Sequence, residues 1–259
     1  MVALLETERV SKSFGGLRAV DEVDFSVPSG AIVGIIGPNG AGKSTFFNVI
    51  ARLYPATSGR ITFMGEDVTA LRTHQMASRG VGRTFQTTAI FSETTVLESV
   101  MVGYARKTRA GLWDAFVRTR RHAREERETR EAALAALAFV GLAHVAQWPV
   151  TRLPQEQQKR IAIALAMAGE PRLMLLDEPF AGINHEQTRG LTELIEKIAR
   201  HGITVCLIEH QMPVVMGLCE RITVLNHGRK IAEGTASDIR RDPTVIEAYL
   251  GHAPGQTGC

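Results

Sequence analysis

The chain has 259 residues, of which 44% are hydrophobic and 22% charged, and its formal net charge at pH 7 is +3. This composition is ordinary for a globular protein with one large domain or a core with an inserted subdomain. So small a net charge does not by itself indicate nucleic-acid binding. The longest apolar run, residues 132–143, is too short to cross a bilayer, and the N-terminus carries acidic residues where a secretory signal has basic ones. We therefore expect a cytosolic protein, unless a partner holds it at a membrane.

The cysteine and histidine residues are scattered along the chain. Cys206, Cys219 and Cys259 are odd in number and lack CxxC spacing, so we predict reduced, structural thiols. The eight histidines also lack the spacing of metal ligands. We therefore predict no metal site built from protein side chains alone.

The N-terminal segment alternates strand-like stretches with turns. Strands are predicted over residues 4–10 and 19–27, followed by a Pro-Ser-Gly turn. Phe14 lies between the two strands. It is either a ring that stacks on a nucleobase or a core phenylalanine at a strand end, and the sequence does not separate these alternatives.

The stretch GPNGAGKST at residues 37–45 matches the phosphate-binding P-loop pattern. An apolar strand is predicted before it at residues 31–36, and a helix after it at 44–50, which is the context that the motif requires. Glycines let the backbone N–H groups wrap around phosphate oxygens, and the helix N-terminus adds positive potential. The residues predicted to bind a nucleoside triphosphate here are Gly37, Pro38, Asn39, Gly40, Ala41, Gly42, Lys43, Ser44 and Thr45, with Lys43 on the β- and γ-phosphates and the Ser44 hydroxyl on Mg²⁺.

The middle of the chain changes from strand to helix signals. Strands are predicted at residues 60–63 and 80–86, and the second ends on Gln86, which is either a contact to Mg²⁺ or the attacking water, or a solvated loop residue. Residues 96–168 are predicted to be helical. Residues 118–130 interleave arginines with glutamates, which favours a solvated helix face, although a contact with lipid or protein remains open. The chain shows no internal repeat, so we predict one nucleotide-binding unit.

The stretch LMLLDEP at residues 173–179 predicts a buried parallel strand with two carboxylates at its C-terminal end. Asp177 would hold Mg²⁺, directly or through water, and Glu178 would polarise the water that attacks the γ-phosphate. A second buried strand, residues 203–208, is followed by Glu209 and His210. His210 at the same sheet edge would orient the water, although a histidine alone is more often structural. Strands at 221–225 and 230–233 and a helix at 243–250 complete the prediction.

These motifs together resemble an ATP-binding cassette (ABC) ATPase subunit of a transporter, and the resemblance covers nearly the whole chain. It is most similar to the ATPases of branched-chain amino acid importers, through FGGLRAV, STFFNVI, the basic helical insertion, IEHQM, VMGLCERITVLNHGRKIAEGT and DPTVIEAYLG. The resemblance implies an α/β fold: a P-loop NTPase core with a mostly parallel sheet, an N-terminal antiparallel β subdomain and an inserted α-helical subdomain. Residues 1–259 would form a single cassette, with residues 1–86 and 169–259 as the catalytic core and β subdomain and 87–168 as the helical subdomain.

The resemblance also implies roles for single residues. Phe14 takes the adenine-stacking position, Gln86 the Q-loop, residues 181–184 the D-loop, and His210 the switch histidine. The implied catalytic residues are Glu178, His210 and Gln86; the implied metal ligands are Ser44, Gln86 and Asp177, with ATP and Mg²⁺ as cofactors. The implied partners are a second ABC ATPase subunit, integral membrane permeases and, indirectly, a substrate-binding protein, with no nucleic acid. The implied location is peripheral, on the cytoplasmic side of the inner membrane.

One motif departs from the family. The signature LSGGQ, which grips the γ-phosphate on the P-loop of the partner subunit, corresponds here to LPQEQ at residues 153–157. Pro154 removes a hydroxyl and an N–H. Glu156 would bring a carboxylate toward an anion, and the two like charges would repel by about 4 kcal/mol if the carboxylate points inward. We therefore expect an asymmetric heterodimer, in which a partner with an intact signature completes the site built on this chain's P-loop.

Three functions compete at this stage. The first is the motor of an importer for branched-chain or related amino acids. The second is a regulatory ATP-binding subunit with weak turnover, which the altered signature prompts and the intact Glu178 and His210 oppose. The third is a soluble ABC ATPase that acts on nucleic acid or ribosomes, whose relatives usually carry two cassettes or long coiled-coil insertions. The transported substrate itself is not encoded in recognisable residues.

Overall fold

The computed structural model describes residues 3–84, 94–104 and 120–250. The strands are β1 Ala3–Phe14, β2 Leu17–Pro28, β3 Ile32–Ile36, β4 Ser58–Phe63, β5 Glu66–Asp67, β6 Val81–Arg83, β7 Leu173–Asp177, β8 Thr204–Ile208, β9 Arg221–Asn226 and β10 Arg229–Gly234. The helices are α1 Lys43–Ile50, α2 Thr73–Ser78, α3 Val96–Tyr104, α4 Arg120–Phe139, α5 Gln155–Met167, α6 His185–Arg200, α7 Met212–Leu218, α8 Ala236–Arg241 and α9 Pro243–Leu250.

The strands form two sheets. The four-stranded sheet has the order β2-β1-β4-β5 and is antiparallel. The six-stranded sheet has the order β10-β9-β3-β8-β7-β6; its five strands from β9 to β6 are parallel, and β10 pairs antiparallel with β9 in a hairpin. The central strands β3 and β8 are buried along their whole length, as expected for parallel strands covered on both faces.

The six-stranded sheet separates two hydrophobic cores, because successive side chains of a strand point to opposite faces. On β7, Leu173 and Leu175 belong to the core shared with α1 and the antiparallel sheet. Met174 and Leu176 belong to the core shared with the helices of the other face. Both faces of this sheet are therefore covered by hydrophobic cores, and only the ends of its strands are available to form a binding site.

Helices α3, α4 and α5 pack on one another within residues 96–168, the region predicted to be helical. Residues 140–154 of that region form turns and two short 3-10 segments instead, and residues 105–119 lie outside the described residues. The charged stretch of α4 lies at the surface, where Arg124 pairs with Glu128 at 2.8 Å and Arg127 with Glu131 at 3.8 Å, each one helical turn apart. The described part of this stretch therefore confirms a solvated, ion-paired helix face. No helix in the described part of the chain combines the length and the hydrophobicity needed to span a bilayer.

The fold class is confirmed: the protein is α/β, with a mostly parallel sheet, an antiparallel sheet and a group of helices. The predicted helix at 243–250 is α9, and the predicted strands correspond to β1–β4 and β7–β10 within a few residues. The strand predicted over residues 80–86 was too long. It begins at Val81 and ends at Arg83, because Gly80 has a φ of +96°, outside the extended conformation of a regular strand, and Thr84 no longer lies in the strand. Gln86 lies outside the described residues.

Candidate nucleotide-binding site

The P-loop connects the end of β3 to the first turn of α1, as the motif predicts. Two of its glycines are required by close packing as well as by their dihedral angles. A Cβ at Gly37 (φ +149°) would lie 2.0 Å from the Leu225 carbonyl oxygen, and one at Gly42 (φ +92°) would lie 2.3 Å from that of Ala19. Any side chain at either position would displace the loop from its supports.

Lys43, the first residue of α1, folds its side chain back over the loop. Its Nζ donates to the carbonyl oxygens of Gly37 at 2.8 Å and Pro38 at 3.0 Å. Burial lowers the pKa of Lys43, and the nearby carboxylates of Glu178 and Asp177 oppose that shift. The ammonium group is thus fixed between the loop and the acidic pair. Ser44 is exposed in the first turn of α1, and Thr45 is half-buried beside it.

The P-loop is supported from behind by the turn between β9 and β10, which sequence reasoning did not identify. Gly228 donates its N–H to the Ala41 carbonyl at 3.0 Å, and its own carbonyl accepts from the Asp21 N–H at 2.8 Å. Gly228 has a φ of +79°, and a Cβ there would lie 2.9 Å from the Ala19 carbonyl oxygen. The only sequence signal was a glycine in a hairpin turn, which does not reveal a contact with the P-loop.

Asp177 ends β7, and its side chain is only 6% exposed. Its Oδ2 accepts from the Arg83 guanidinium at 3.2 Å, whereas its Oδ1 is buried with no hydrogen-bond partner. Burial raises the pKa of Asp177, and the Arg83 charge opposes that shift. A buried carboxylate oxygen without a donor fits a hard cation such as Mg²⁺, which is usually held by one or two carboxylates and by phosphate oxygens. No cluster of three or more His, Cys, Asp or Glu suited to a metal occurs among the described residues.

Glu178 follows with a strained backbone, at a φ of +48° that L-residues rarely adopt. Its Oε1 lies 3.9 Å from Nδ1 of His210, which follows the neighbouring strand β8. The carboxylate and the imidazole are both partly exposed, so they can reach a water molecule at this edge. The fully buried Glu209, which the sequence marked only as a neighbour, accepts from the backbone N–H groups of Phe180 at 2.8 Å and His210 at 3.1 Å. It therefore ties the segment after Glu178 to the segment that carries the histidine.

Phe14 is 43% exposed and packs edge-on against Tyr54, with ring centroids 5.4 Å apart. The alternative of a core phenylalanine is therefore wrong. The Lys12 ammonium lies 4.9 Å from the centroid of the Phe14 ring. The base-stacking role of Phe14 stays a prediction.

The signature segment LPQEQ precedes and begins α5, with Pro154 as the N-cap residue and without a side-chain cap. The repulsion expected from Glu156 depended on its carboxylate pointing inward, and the structure shows a competing contact for that carboxylate. Its carboxylate is buried and paired with Arg160 one turn along the same helix, and Arg160 also donates to the Val140 carbonyl at 3.0 Å. The pairing is favoured because it compensates a charge that packing removes from water. The loss of a donor at Pro154 remains.

The geometry brings the P-loop, the carboxylate pair and the histidine to the same edge, after the adjacent strands β3, β7 and β8. The ABC transporter family pattern matches residues 20–181. The chain belongs to this family and is one of its ATPase subunits, which bind and hydrolyse ATP. A second pattern, described as "Branched-chain amino acid ATP-binding cassette transporter", matches residues 229–254.

Among its relatives is the high-affinity branched-chain amino acid transport ATP-binding protein BraF of Pseudomonas aeruginosa. It is 41% identical over 257 residues, which cover 96% of this chain and 98% of that protein. A protein of Escherichia coli with the same description, named LivG, is 39% identical over 251 residues, which cover 96% of this chain and 98% of that protein. A crystal structure of a nucleotide-free ATP-binding cassette from an ABC transporter superposes with a TM-score of 0.87 at 32% identity, covering 96% of this chain and all of that one. The ADP conformation of an ABC-transporter cassette gives a TM-score of 0.86 at 31% identity, covering 97% and 100%.

Proposed function

We propose that this chain is the ATP-hydrolysing subunit of an importer for branched-chain or related amino acids. The observation that carries the proposal is the convergence of Lys43, Asp177, Glu178 and His210 after three adjacent parallel strands. Loops at the carboxyl ends of such strands are where α/β folds bind their ligands. The 3.9 Å separation of Glu178 and His210 leaves both groups able to contact one water molecule.

In this proposal the residues of the site take the following roles. The P-loop residues 37–45 and Lys43 hold the phosphates, and Phe14 stacks on the adenine. Ser44, Asp177 and Gln86 hold Mg²⁺, which neutralises charge on the phosphates when bound. Glu178 polarises the attacking water, and His210 and Gln86 orient it. Since Glu178 and His210 are placed by two hydrogen-bonded strands, little reorganisation is needed before attack.

The amino acid cargo is supported by two comparisons. Two of the similar relatives carry branched-chain amino acid transport in their names, at 39–41% identity over almost their whole length. The C-terminal residues 229–254 match a pattern named for the same transporters. An ATPase subunit does not touch the cargo, so related amino acids stay within the proposal.

We further propose that the chain is one half of a head-to-tail dimer of cassettes bound to two membrane permeases, which a substrate-binding protein supplies. Residues 1–86 and 169–259 would form the catalytic core and 87–168 the helical subdomain. A permease segment would dock in a groove of about 490 Å³ between β6, α3 and α5, whose walls include Gly82, Gly103 and Leu165. This arrangement makes the chain peripheral on the cytoplasmic side of the inner membrane.

The partner cassette is proposed to be a different chain with an intact signature. Pro154 supplies neither a hydroxyl nor an N–H to the site of the partner, and loss of such a donor costs about 2.7–4 kcal/mol where it has been measured in enzymes. Because the Glu156 carboxylate is turned toward Arg160, the proposed asymmetry between the two ATP sites depends only on the donor lost at Pro154. Hydrolysis should then occur mainly at the site that contains Glu178.

The test replaces the glutamate at each site of the purified complex in turn. Glu178→Gln should reduce steady-state ATP hydrolysis by at least about 100-fold, because the polarising carboxylate is lost. The corresponding change in the partner should reduce it by less than about threefold. Equal losses would contradict the asymmetry, and no loss from Glu178→Gln would contradict the catalytic assignment.

Two further measurements separate the function from its competitors. Membrane vesicles that carry the complex, with the binding protein outside, should take up leucine, isoleucine or valine only when ATP is inside. Absence of permeases from the purified complex would instead favour a soluble ATPase. The altered signature also favours a regulatory subunit as a second candidate. Single-turnover hydrolysis confined to the partner's site would support that candidate instead.

A further inference from the structure

A buried arginine connects three elements beside the nucleotide site. Arg83 is the last residue of β6, and its side chain is only 11% exposed. One guanidinium nitrogen donates to Oδ1 of Asn48 on α1 at 2.5 Å, and another donates to Oδ2 of Asp177 at 3.2 Å. Arg83 is also one of the residues that line the groove beside β6.

The pairing leaves the two oxygens of Asp177 in different states. Oδ2 is occupied by Arg83, whereas Oδ1 is buried without a partner. A carboxylate held at one oxygen cannot rotate freely, so the direction of the other oxygen is set by Arg83. Partners of this kind orient metal ligands, and their loss typically costs about 10–100-fold in metal affinity.

Arg83 is also fixed to the wall of the groove. Its backbone pairs with Leu175 of β7, and the preceding Gly82 packs so tightly that a Cβ would lie 2.9 Å from the Ala166 carbonyl oxygen of α5. A shift of β6 against α5 therefore moves the anchor of the guanidinium. Because the arginine is forked and planar, a small shift changes both of its hydrogen bonds.

We propose that Arg83 is a positioning residue that aims Asp177 Oδ1 at the metal of the bound nucleotide and links metal binding to the groove wall formed by β6 and α5. The inference rests on the proposed function, since it takes Mg²⁺·ATP as the ligand. Mg²⁺ binding at Asp177 and the position of β6 against α5 are then energetically coupled through the Arg83 side chain.

The first test measures ATP affinity of the purified chain with and without Mg²⁺, using a fluorescent ATP analogue. Arg83→Lys keeps the charge but cannot bridge Asn48 and Asp177 in the same geometry. It should reduce the ratio of the two affinities about tenfold, while the affinity without Mg²⁺ changes by less than about twofold. An equal loss with and without Mg²⁺, or an unchanged ratio, would overturn the proposal.

Two other variants serve as a second test and as a control. Asn48→Ala removes the second anchor of the guanidinium without changing any charge and should lower the same ratio about threefold. This variant carries the test if Arg83→Lys does not fold. Arg79→Lys alters an exposed arginine that pairs with Glu66 at 3.1 Å, and it should leave the ratio unchanged.

The second test addresses the groove by hydrogen exchange. At equal nucleotide occupancy, Mg²⁺·ATP should slow amide exchange in peptides that contain β6 and the end of α5 in the unaltered protein, and this slowing should be lost in Arg83→Lys. Mg²⁺·ATP binding without any change in these peptides would refute the link to the groove but not the ATPase function. Failure of the unaltered chain to bind Mg²⁺·ATP, alone and in the complex, would instead refute the proposed function.

Discussion

At the scale of single residues, Glu178 combines a proposed catalytic task with an unfavourable backbone. Its φ of +48° is held by three hydrogen bonds: its N–H donates to Ile208 at 3.0 Å, and its carbonyl accepts from Ala181 at 3.2 Å and from the Lys159 ammonium at 3.0 Å. The left-handed conformation costs an L-residue roughly 1–2 kcal/mol. Surrounding structure therefore imposes the position of the carboxylate.

This strain predicts an unusual order of stability between two variants. Glu178→Gly should be about 1 kcal/mol more stable to urea than Glu178→Gln in the nucleotide-free chain, since glycine relieves the strain at a smaller entropic cost. At the exposed Glu193 within α6 the order should be the reverse. Glu193→Gly should be about 1 kcal/mol less stable than Glu193→Gln, because glycine weakens a helix interior. Glu178→Gly no more stable than Glu178→Gln would show that residue 178 is not strained.

The two described cysteines lie on opposite faces of the six-stranded sheet. Cys206 belongs to the core beneath α1, and Cys219 belongs to the core of the other face. Burial raises the pKa of the Cys219 thiol to about 12 and that of Cys206 well above its usual range. Both observations fit the predicted reduced, structural thiols.

A labelling experiment tests this in a Cys259→Ser variant. The folded protein should show almost no reaction with a thiol reagent at pH 8, and both remaining thiols should react in urea, because only the thiolate is reactive. Folding favours the neutral Cys219 thiol, so its stabilising contribution is complete below the usual thiol pKa and is lost as the pH rises toward 12. Rapid labelling of the folded variant at pH 8 would contradict this.

At the scale of elements, helix α5 shows how a charge can be redirected by packing. The Glu156 carboxylate turns along the helix to Arg160, whose guanidinium also donates to the carbonyl of Val140, the residue after α4. The ion pair thus fastens α5 to its neighbour. The sequence predicted repulsion at this position only if the carboxylate points inward, because a residue type does not specify a rotamer.

Removing this buried pair should cost more than removing an exposed one of the same spacing. Glu156→Ala should lower the free energy of unfolding by about 2 kcal/mol, because Arg160 loses a charged partner in a poorly solvated position. Glu128→Ala breaks the exposed pair with Arg124 and should cost about 0.5 kcal/mol or less. Urea unfolding compares them, and similar costs would contradict the buried role of Glu156.

At the scale of the whole molecule, the nucleotide site is assembled from segments that lie far apart in the chain. The P-loop is supported by Ala19 of β2 and Gly228 of the β9–β10 turn, while the acidic pair and the histidine come from β7 and the end of β8. The order of the six-stranded sheet brings these segments together. Nucleotide affinity should therefore depend on residues that never contact the nucleotide.

Gly228→Ala tests this dependence. The added methyl would meet the Ala19 carbonyl and disturb the bond from the Gly228 N–H to Ala41, so ATP affinity should fall about tenfold, which equals roughly 1.4 kcal/mol. Gly202→Ala introduces the same backbone strain, at a φ of +83°, in a turn with open space around it. It should lower stability similarly but leave affinity unchanged; equal affinities of the two variants would contradict a supporting role for Gly228.

Much of the fold was predictable because its signals are local. The apolar stretches 31–36, 173–176 and 203–208 mark buried parallel strands, and the glycine pattern at 37–45 fixes the loop between strand and helix. The short strand β5 and helix α2 were not predicted, because neither is long enough to show a periodic pattern. The roles of Phe14 and Gln86 stay predictions, the second because Gln86 lies outside the described residues.

The sequence by itself determined the fold class, and it predicted the groups proposed to act on a triphosphate: the glycine loop with Lys43, the pair Asp177 and Glu178, and His210. These assignments depend on residue type and on position after a strand, which neighbours within a few residues decide. Only the tertiary structure decided that Glu156 turns to Arg160, that Arg83 holds Asp177 and that Gly228 supports the P-loop. The reason is physical: such contacts depend on rotamers and on the packing of elements remote in sequence, and no local pattern records them.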